Sequence, residues 1–189
     1  MRHGLRFSPD ELDRRFHAAW RAKTNFSHTK TDWSDLVDQV FAGLVETPPS
    51  RSFFPALYAA FSSPSAWRVY EDVLPCLEQW RKRGLKMGAI SNWDDRLRPL
   101  LEKLGLAPWF DVIVISAEFG QAKPHPAIFQ HAATLLRTEP PAILHLGDNR
   151  VQDFEGARAA GLQALLLRRG EPPRAGERIS SLTEALSVL

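Results

Sequence analysis

Three short stretches of the sequence carry residue types that could handle a transferring oxyanion. In Ser91-Asn92-Trp93-Asp94-Asp95 a hydroxyl and an amide can donate hydrogen bonds to an anionic oxygen, and Asp94 or Asp95 can cap a following helix. In Ser116-Ala117-Glu118-Phe119-Gly120-Gln121-Ala122-Lys123-Pro124-His125-Pro126 two prolines stiffen the chain beside one lysine, and a rigidly held ammonium can neutralise a phosphoryl group. In Leu144-His145-Leu146-Gly147-Asp148-Asn149-Arg150-Val151-Gln152-Asp153 two carboxylates flank a turn freed by Gly147, an arrangement that presents hard oxygen ligands to Mg²⁺. Taken singly, each has a plainer reading: Ser91 and Asp148 as turn residues, Lys123 as a solvated charge, Asp153 as a helix N-terminal acid.

Where the three stretches fall gives them weight. From about Asp72 the sequence alternates helical periods with short apolar runs. A helix over Leu74 to Lys82, ended by Gly84, precedes a strand over Leu85 to Ile90; a helix carrying Leu97, Leu100, Leu101 and Leu104 closes at Gly105. Val112 to Ile115, Ile143 to Leu146 and Ala164 to Leu167 read as three more strands, separated by helices over Pro126 to Arg137 and Val151 to Ala160. Runs this short and apolar suit strands covered on both faces, and the alternation predicts an α/β fold with a doubly wound parallel sheet. Reactive groups in such sheets gather beyond the carboxyl ends of the strands, where all three stretches lie. Arg169 to Glu177, rich in Gly, Pro and charge, reads as a loop.

Ser8 to Tyr70 offers helical periods and no convincing strand. Ser8-Pro9-Asp10-Glu11 reads as an N-cap, a Pro at N1 and an acid at N3, with Leu12, Phe16 and Trp20 along one face behind it. A second helix spans about Asp32 to Val45, and a third carries Phe54, Leu57, Tyr58 and Phe61. Their spacing accounts for the aromatic residues as helix-to-helix core.

In order and position, Ser91, then Lys123-Pro124, then Gly147-Asp148-Asn149 with Asp153 resemble motifs II, III and IV of the haloacid dehalogenase-like hydrolases. Ala127-Ile128-Phe129 and Asp153-Phe154-Glu155-Gly156-Ala157 resemble the members whose helical cap is inserted between motifs I and II. The resemblance implies a helical cap over residues 1–70 and an α/β hydrolase core over 71–189. It implies that Ser91, with Asn92 beside it, holds the transferring phosphoryl oxygens and that Lys123 balances their charge. Asp148 would bind Mg²⁺, with Asp153 supporting it, and the substrate would be a small phosphorylated metabolite hydrolysed through an aspartyl-phosphate. A 2-haloacid dehalogenase, which needs no metal, is the rival enzyme reading; Gly147-Asp148 looks like the phosphatase form of motif IV.

Members of this family take nucleophile and general acid from motif I, D-x-D-x-T, which this sequence does not contain. Asp94-Asp95 have the wrong spacing, and Asp10 and Asp13 fall on a helix, so no nucleophile is assigned. In the family, motif I ends the first and central strand of the sheet. Four or five buried apolar residues there contribute about 10 kcal/mol, and bared edges on both neighbours add to the loss. The resemblance therefore implies an N-terminally truncated, inactive chain, with Arg2-His3-Gly4-Leu5 similar to the stretch that precedes the first cap helix. The alternative is a binding or scaffold protein derived from a phosphatase.

Composition narrows the setting. The 189 residues are 44% apolar with a net charge of +2, so despite a pI near 8.9 no overall basic field argues for a nucleic-acid partner. No apolar run approaches the roughly 20 residues of a membrane span. The single Cys76 can form no internal disulfide; with no apolar run behind the first charges, the expected location is the cytoplasm. The in-frame sequence upstream of Met1 is expected to encode an apolar strand ending in D-x-D-x-T. A stop codon directly upstream, with native protein of a mass beginning at Met1, would overturn that expectation.

Overall fold

A computed structural model describes residues 7–23 and 26–187; the opening Arg2-His3-Gly4-Leu5 lies outside the described residues. The chain divides into two compact units, Met1–Trp67 and Arg68–Leu189. The first contains α1 (Pro9–Arg21), α2 (Lys30–Phe41) and α3 (Phe54–Ala60). Ser8 stands at the N-cap of α1, but its side chain makes no capping bond. A true capping box begins α2 two residues before the expected Asp32: the Thr29 hydroxyl accepts from Asp32 N at 3.2 Å, and Asp32 Oδ2 accepts from Thr29 N at 3.0 Å. The helix stops at Phe41, short of Val45, because Ala42 leaves the helical region and Gly43 takes φ +74°. Arg15 reaches across from α1 to donate to Ala42 O at 3.0 Å. Trp20 stacks on Trp33 at 5.9 Å, and Phe26 packs edge-on against both rings, so partly buried aromatics join α1 to α2, whereas Phe16 and Phe61, expected in the same core, are exposed.

The second unit runs α4 (Val73–Lys82), β1 (Gly88–Ser91), α5 (Leu97–Lys103), β2 (Val112–Ile115), α6 (Ser116–Phe119), α7 (Pro126–Leu136), β3 (Leu144–Gly147), α8 (Gly156–Ala159), β4 (Gln163–Leu167), β5 (Arg178–Ile179) and α9 (Leu182–Ala185). β1 begins later than Leu85 because Met87 N is taken by the Asp111 carboxylate at 2.8 Å and Met87 O accepts from Asp111 N. The continuous helix expected over Val151 to Ala160 is instead a π-helical Arg150–Glu155 followed by α8. The Asn149 side chain accepts from Val151 N and Gln152 N, and its carbonyl accepts from both Asp153 N and Phe154 N; this widens the first turn.

The pairings between these strands are parallel, with Gly88 opposite Val112, Leu144 opposite Gln163 and Leu166 opposite Arg178. The ladders form two sheets, β1-β2 and β3-β4-β5, and among the described residues β1 and β3 share no ladder. Side chains hold the halves together. On one face, Ile128, Phe129 and Ala132 of α7 pack with Ile90 and Val114 of the first sheet and with Ala164 and Leu166 of the second. On the other face, Cys76, Leu77 and Trp80 of α4 meet Met87, Leu144, Leu146, Leu165 and Leu167. Alternate residues of β4 thus face opposite layers, which is why its sequence reads as unbroken Leu and Ala, and the core is doubly wound.

Gly156 lets α8 approach the loop before α7. A Cβ there would stand 2.9 Å from Pro124 Cβ and 3.0 Å from Pro124 Cα, atoms that cannot swing aside. Gly156→Ala is expected to cost about 1–3 kcal/mol, as overpacking does. The check is a lowered urea midpoint at unchanged m-value; wild-type stability would show that the approach tolerates a methyl group.

Candidate active site

Lys123 lies between α6 and α7 and is held at both backbone and side chain. Asn92, just past β1, donates from Nδ2 to Lys123 O at 2.9 Å and accepts Lys123 N on Oδ1 at 2.7 Å. Both ends of the amide are therefore engaged with one peptide unit. The Asn92 side chain positions the lysine backbone with its carbonyl and one of the two N–H bonds of its amide. From this anchor the Lys123 ammonium reaches Ile90 O at 3.0 Å and Asp153 Oδ1 at 2.6 Å. The charged pair is 11% and 5% exposed, and it links the β1 side of the unit to the β3 side.

Asp153 points back toward its own strand because the π turn carries it there. Its Oδ1 also faces His145 Nε2 at 3.2 Å, and its Oδ2 accepts from Asn149 N at 2.9 Å. Burial opposes ionisation of this carboxyl, but the His145, Lys123 and Asn149 donors outweigh it and hold the group well below the usual carboxylate range. Gly147 makes room: a Cβ at that position would lie 2.2 Å from Asp153 Cγ. The glycine written into the Gly147-Asp148 turn is thus required by the carboxylate six residues on.

Ser91 ends β1, half-buried, and among the described residues its hydroxyl has no hydrogen-bond partner. Asp148 follows β3 and is exposed, its carboxylate likewise without a partner among them. Asp94, read from the sequence as a candidate helix cap, is 4% exposed; its Oδ1 accepts from Arg96 N at 3.1 Å just before α5, and its carboxylate also accepts from Arg96 Nε and Nη2 at 2.7 Å each. The short loop helix α6 was not expected; Ser116 at its start accepts Trp93 N at 3.1 Å, tying the ends of β1 and β2 together.

His145 is the site residue that sequence reasoning passed over, although a signal for it existed. In Leu144-His145-Leu146 the leucines pack on the α4 side, so period-two alternation turns His145 to the α7 face, where its ring meets Phe129 edge-on at 5.2 Å. A lone polar residue on the inner face of an apolar strand must find a buried partner, and Asp153 is that partner.

Among the described residues no group of three or more His, Cys, Asp or Glu side chains stands together as a metal cluster. The donor set still suits Mg²⁺, which keeps several waters and takes one or two carboxylates with substrate phosphate oxygens: Asp148 is free to ligate, while Asp153 is already held by three donors.

The doubly wound core and the order of these residues are those of a known class, and a family model described as haloacid dehalogenase-like hydrolase matches residues 10–161. The chain belongs to this family of hydrolases. It is 38% identical over 181 residues to haloacid dehalogenase-like hydrolase domain-containing protein 3 of Bos taurus, covering 90% of this chain and 72% of the relative. A glyceraldehyde 3-phosphate phosphatase of Methanopyrus kandleri is 37% identical over 110 residues, 55% of this chain and 45% of that protein. Among solved structures, a HAD phosphatase from Thermococcus onnurineus superimposes with a TM-score of 0.72 at 25% identity, over 96% of this chain and 81% of its own. The family resemblance and α/β class read from the motifs are borne out.

Removing one partner of a buried pair strands the other charge, so Asp153→Asn is expected to cost about 3–5 kcal/mol near neutral pH. Because the folded protein holds the Asp153 carboxyl below its ordinary range, the unfolded chain binds the proton first. The stabilisation is complete above about pH 4, the unfolded value, and declines as pH falls below it. Urea titrations should show the gap between wild type and Asp153→Asn shrinking from pH 6 to pH 3; a constant gap would mean that the carboxylate charge contributes nothing.

Proposed function

We propose that this hydrolase is a Mg²⁺-dependent phosphatase of a small phosphate monoester, acting through an aspartyl-phosphate, and that its nucleophile is carried by a strand not among those described. The observation that carries the reading is the Lys123 ammonium, largely buried and bound to Ile90 O and Asp153, with the Ser91 hydroxyl, which has no partner among the described residues, at the end of β1. Those groups suit a phosphoryl group met in line by a carboxylate from the gap between β1 and β3. Ser91 would donate to a phosphoryl oxygen and Lys123 would balance the negative charge. Asp148 would hold Mg²⁺, which when bound would neutralise further charge on the phosphoryl oxygens. Asp153 would support the site by aiming Lys123. A relative named for its action on glyceraldehyde 3-phosphate supports a phosphorylated metabolite as substrate.

The unshared edges of β1 and β3 support a docking place for one further parallel strand ending in D-x-D-x-T, where unpaired backbone groups would otherwise lose their bonds. In this reading residues 1–70 are the cap that screens substrates and 71–189 the catalytic core. No described helix is long and apolar enough to cross a membrane. The free, buried Cys76 accords with a cytoplasmic enzyme.

The 189-residue chain is expected to show negligible hydrolysis of p-nitrophenyl phosphate; turnover of about 1 s⁻¹ or more, abolished by EDTA, would mean that a nucleophile lies within it. In a chain extended by the D-x-D-x-T strand, Asp148→Asn and Lys123→Ala should each lower kcat by about 10²-fold or more. Gln121→Ala, an exposed change in the same loop, should stay within about threefold, as uniform surface effects do. Equal losses in all three variants would assign the effect to loop shape, and an undiminished Asp148→Asn would remove Asp148 from the metal site.

A further inference from the structure

The Lys123 ammonium has three N–H bonds, and its described partners are two, Ile90 O at 3.0 Å and Asp153 Oδ1 at 2.6 Å. The direction of the remaining bond depends on how firmly those acceptors are held. Ile90 O belongs to a paired strand. Asp153 is a side chain whose terminal torsion is broad in the absence of restraints. With Oδ2 held only by Asn149 N, the carboxylate could swing and carry Oδ1 away from the lysine. The second restraint comes from His145, whose Nε2 lies 3.2 Å from Oδ1. The ring is 12% exposed and is set by its strand, in register with Ala164, and by the face of Phe129, itself fully buried. An ionised carboxylate only accepts, so the imidazole facing it must carry a proton on Nε2.

We propose that His145 is a positioning residue: by donating from Nε2 to Asp153 Oδ1 it fixes the acceptor that aims the Lys123 ammonium, leaving the third N–H bond for a phosphoryl oxygen. The last clause rests on the phosphatase reading; the geometric part does not. The role demands reach rather than polarity. Gln at 145 carries an amide nitrogen about as far from the backbone as Nε2, Asn one bond shorter, and Leu no donor.

The test uses the full chain and Lys123 itself. In ¹⁵N-resolved spectra the Lys123 ammonium, assigned by its loss in Lys123→Arg, should exchange its protons with water slowly in wild type. His145→Gln should stay within about threefold of that rate, while His145→Asn and His145→Leu should exchange at least tenfold faster, with amide exchange in α7 unchanged. Equal rates for Gln and Asn, or wild-type rates for Leu, would overturn the proposal. If the Asn and Leu variants do not fold, imidazole ¹⁵N shifts of the wild-type protein decide it: a proton on Nε2 supports the role, and a bare Nε2 ends it. Slow exchange that responds to Gln and Asn as expected, in a protein whose strand-extended form hydrolyses no phosphate ester, would keep His145 as the aiming residue and discard the phosphatase reading instead.

Discussion

The buried pair of Lys123 and Asp153 is the constraint on which the rest of the site depends. Its two members come from different crossovers, thirty residues apart, and it crosses between strands that share no backbone ladder. A charge pair so placed is a poor source of net stability, because desolvation offsets most of its attraction. Each partner is nonetheless costly to leave alone, because the other charge would then stay buried without a counter-charge. Much of the surrounding structure can be read as meeting that demand: Asn92 clamps the lysine backbone, Gly147 vacates space for the carboxylate, and the π turn carries Asp153 back over the end of β3.

Support for this arrangement comes from an apolar layer rather than from sheet continuity. Phe129 and Ile128, both fully buried, touch the inner faces of both sheets and also pack near Phe154. Phe129 is in addition the wall against which His145 stands. One aromatic side chain therefore couples core packing to the orientation of the polar cluster, and interiors packed at this density transmit displacement instead of absorbing it. Gly156 belongs to the same device, for its missing side chain lets α8 close on Pro124, the neighbour of Lys123.

Much of the fold was legible in the sequence. Helix-breaking Gly84 and Gly105 do take positive φ, at +73° and +70°, and β2 spans Val112–Ile115 as its unbroken run of branched residues requires. Element edges moved where a side chain intercepted a backbone group: Asp111 delayed β1, and Thr29 with Asp32 advanced α2. The helix after β3 was expected to be regular because its apolar spacing is; the double acceptance at Asn149 O that opens the π turn leaves no periodic trace.

Sequence alone determined the alternation of strand and helix, the doubly wound class and the order of Ser91, Lys123, Asp148 and Asp153 along the chain. These follow from local matters: which residues repeat at the period of a helix or a strand, and which follow a strand's carboxyl end. Tertiary structure alone decided that Asn92 serves the lysine backbone, that Asp94 is taken by Arg96, that His145 joins Asp153, and that the strands form two ladders. Hydrogen-bond partners far apart in the chain are chosen by whichever buried donor finds no water and no nearer acceptor, and that choice exists only once the layers have packed.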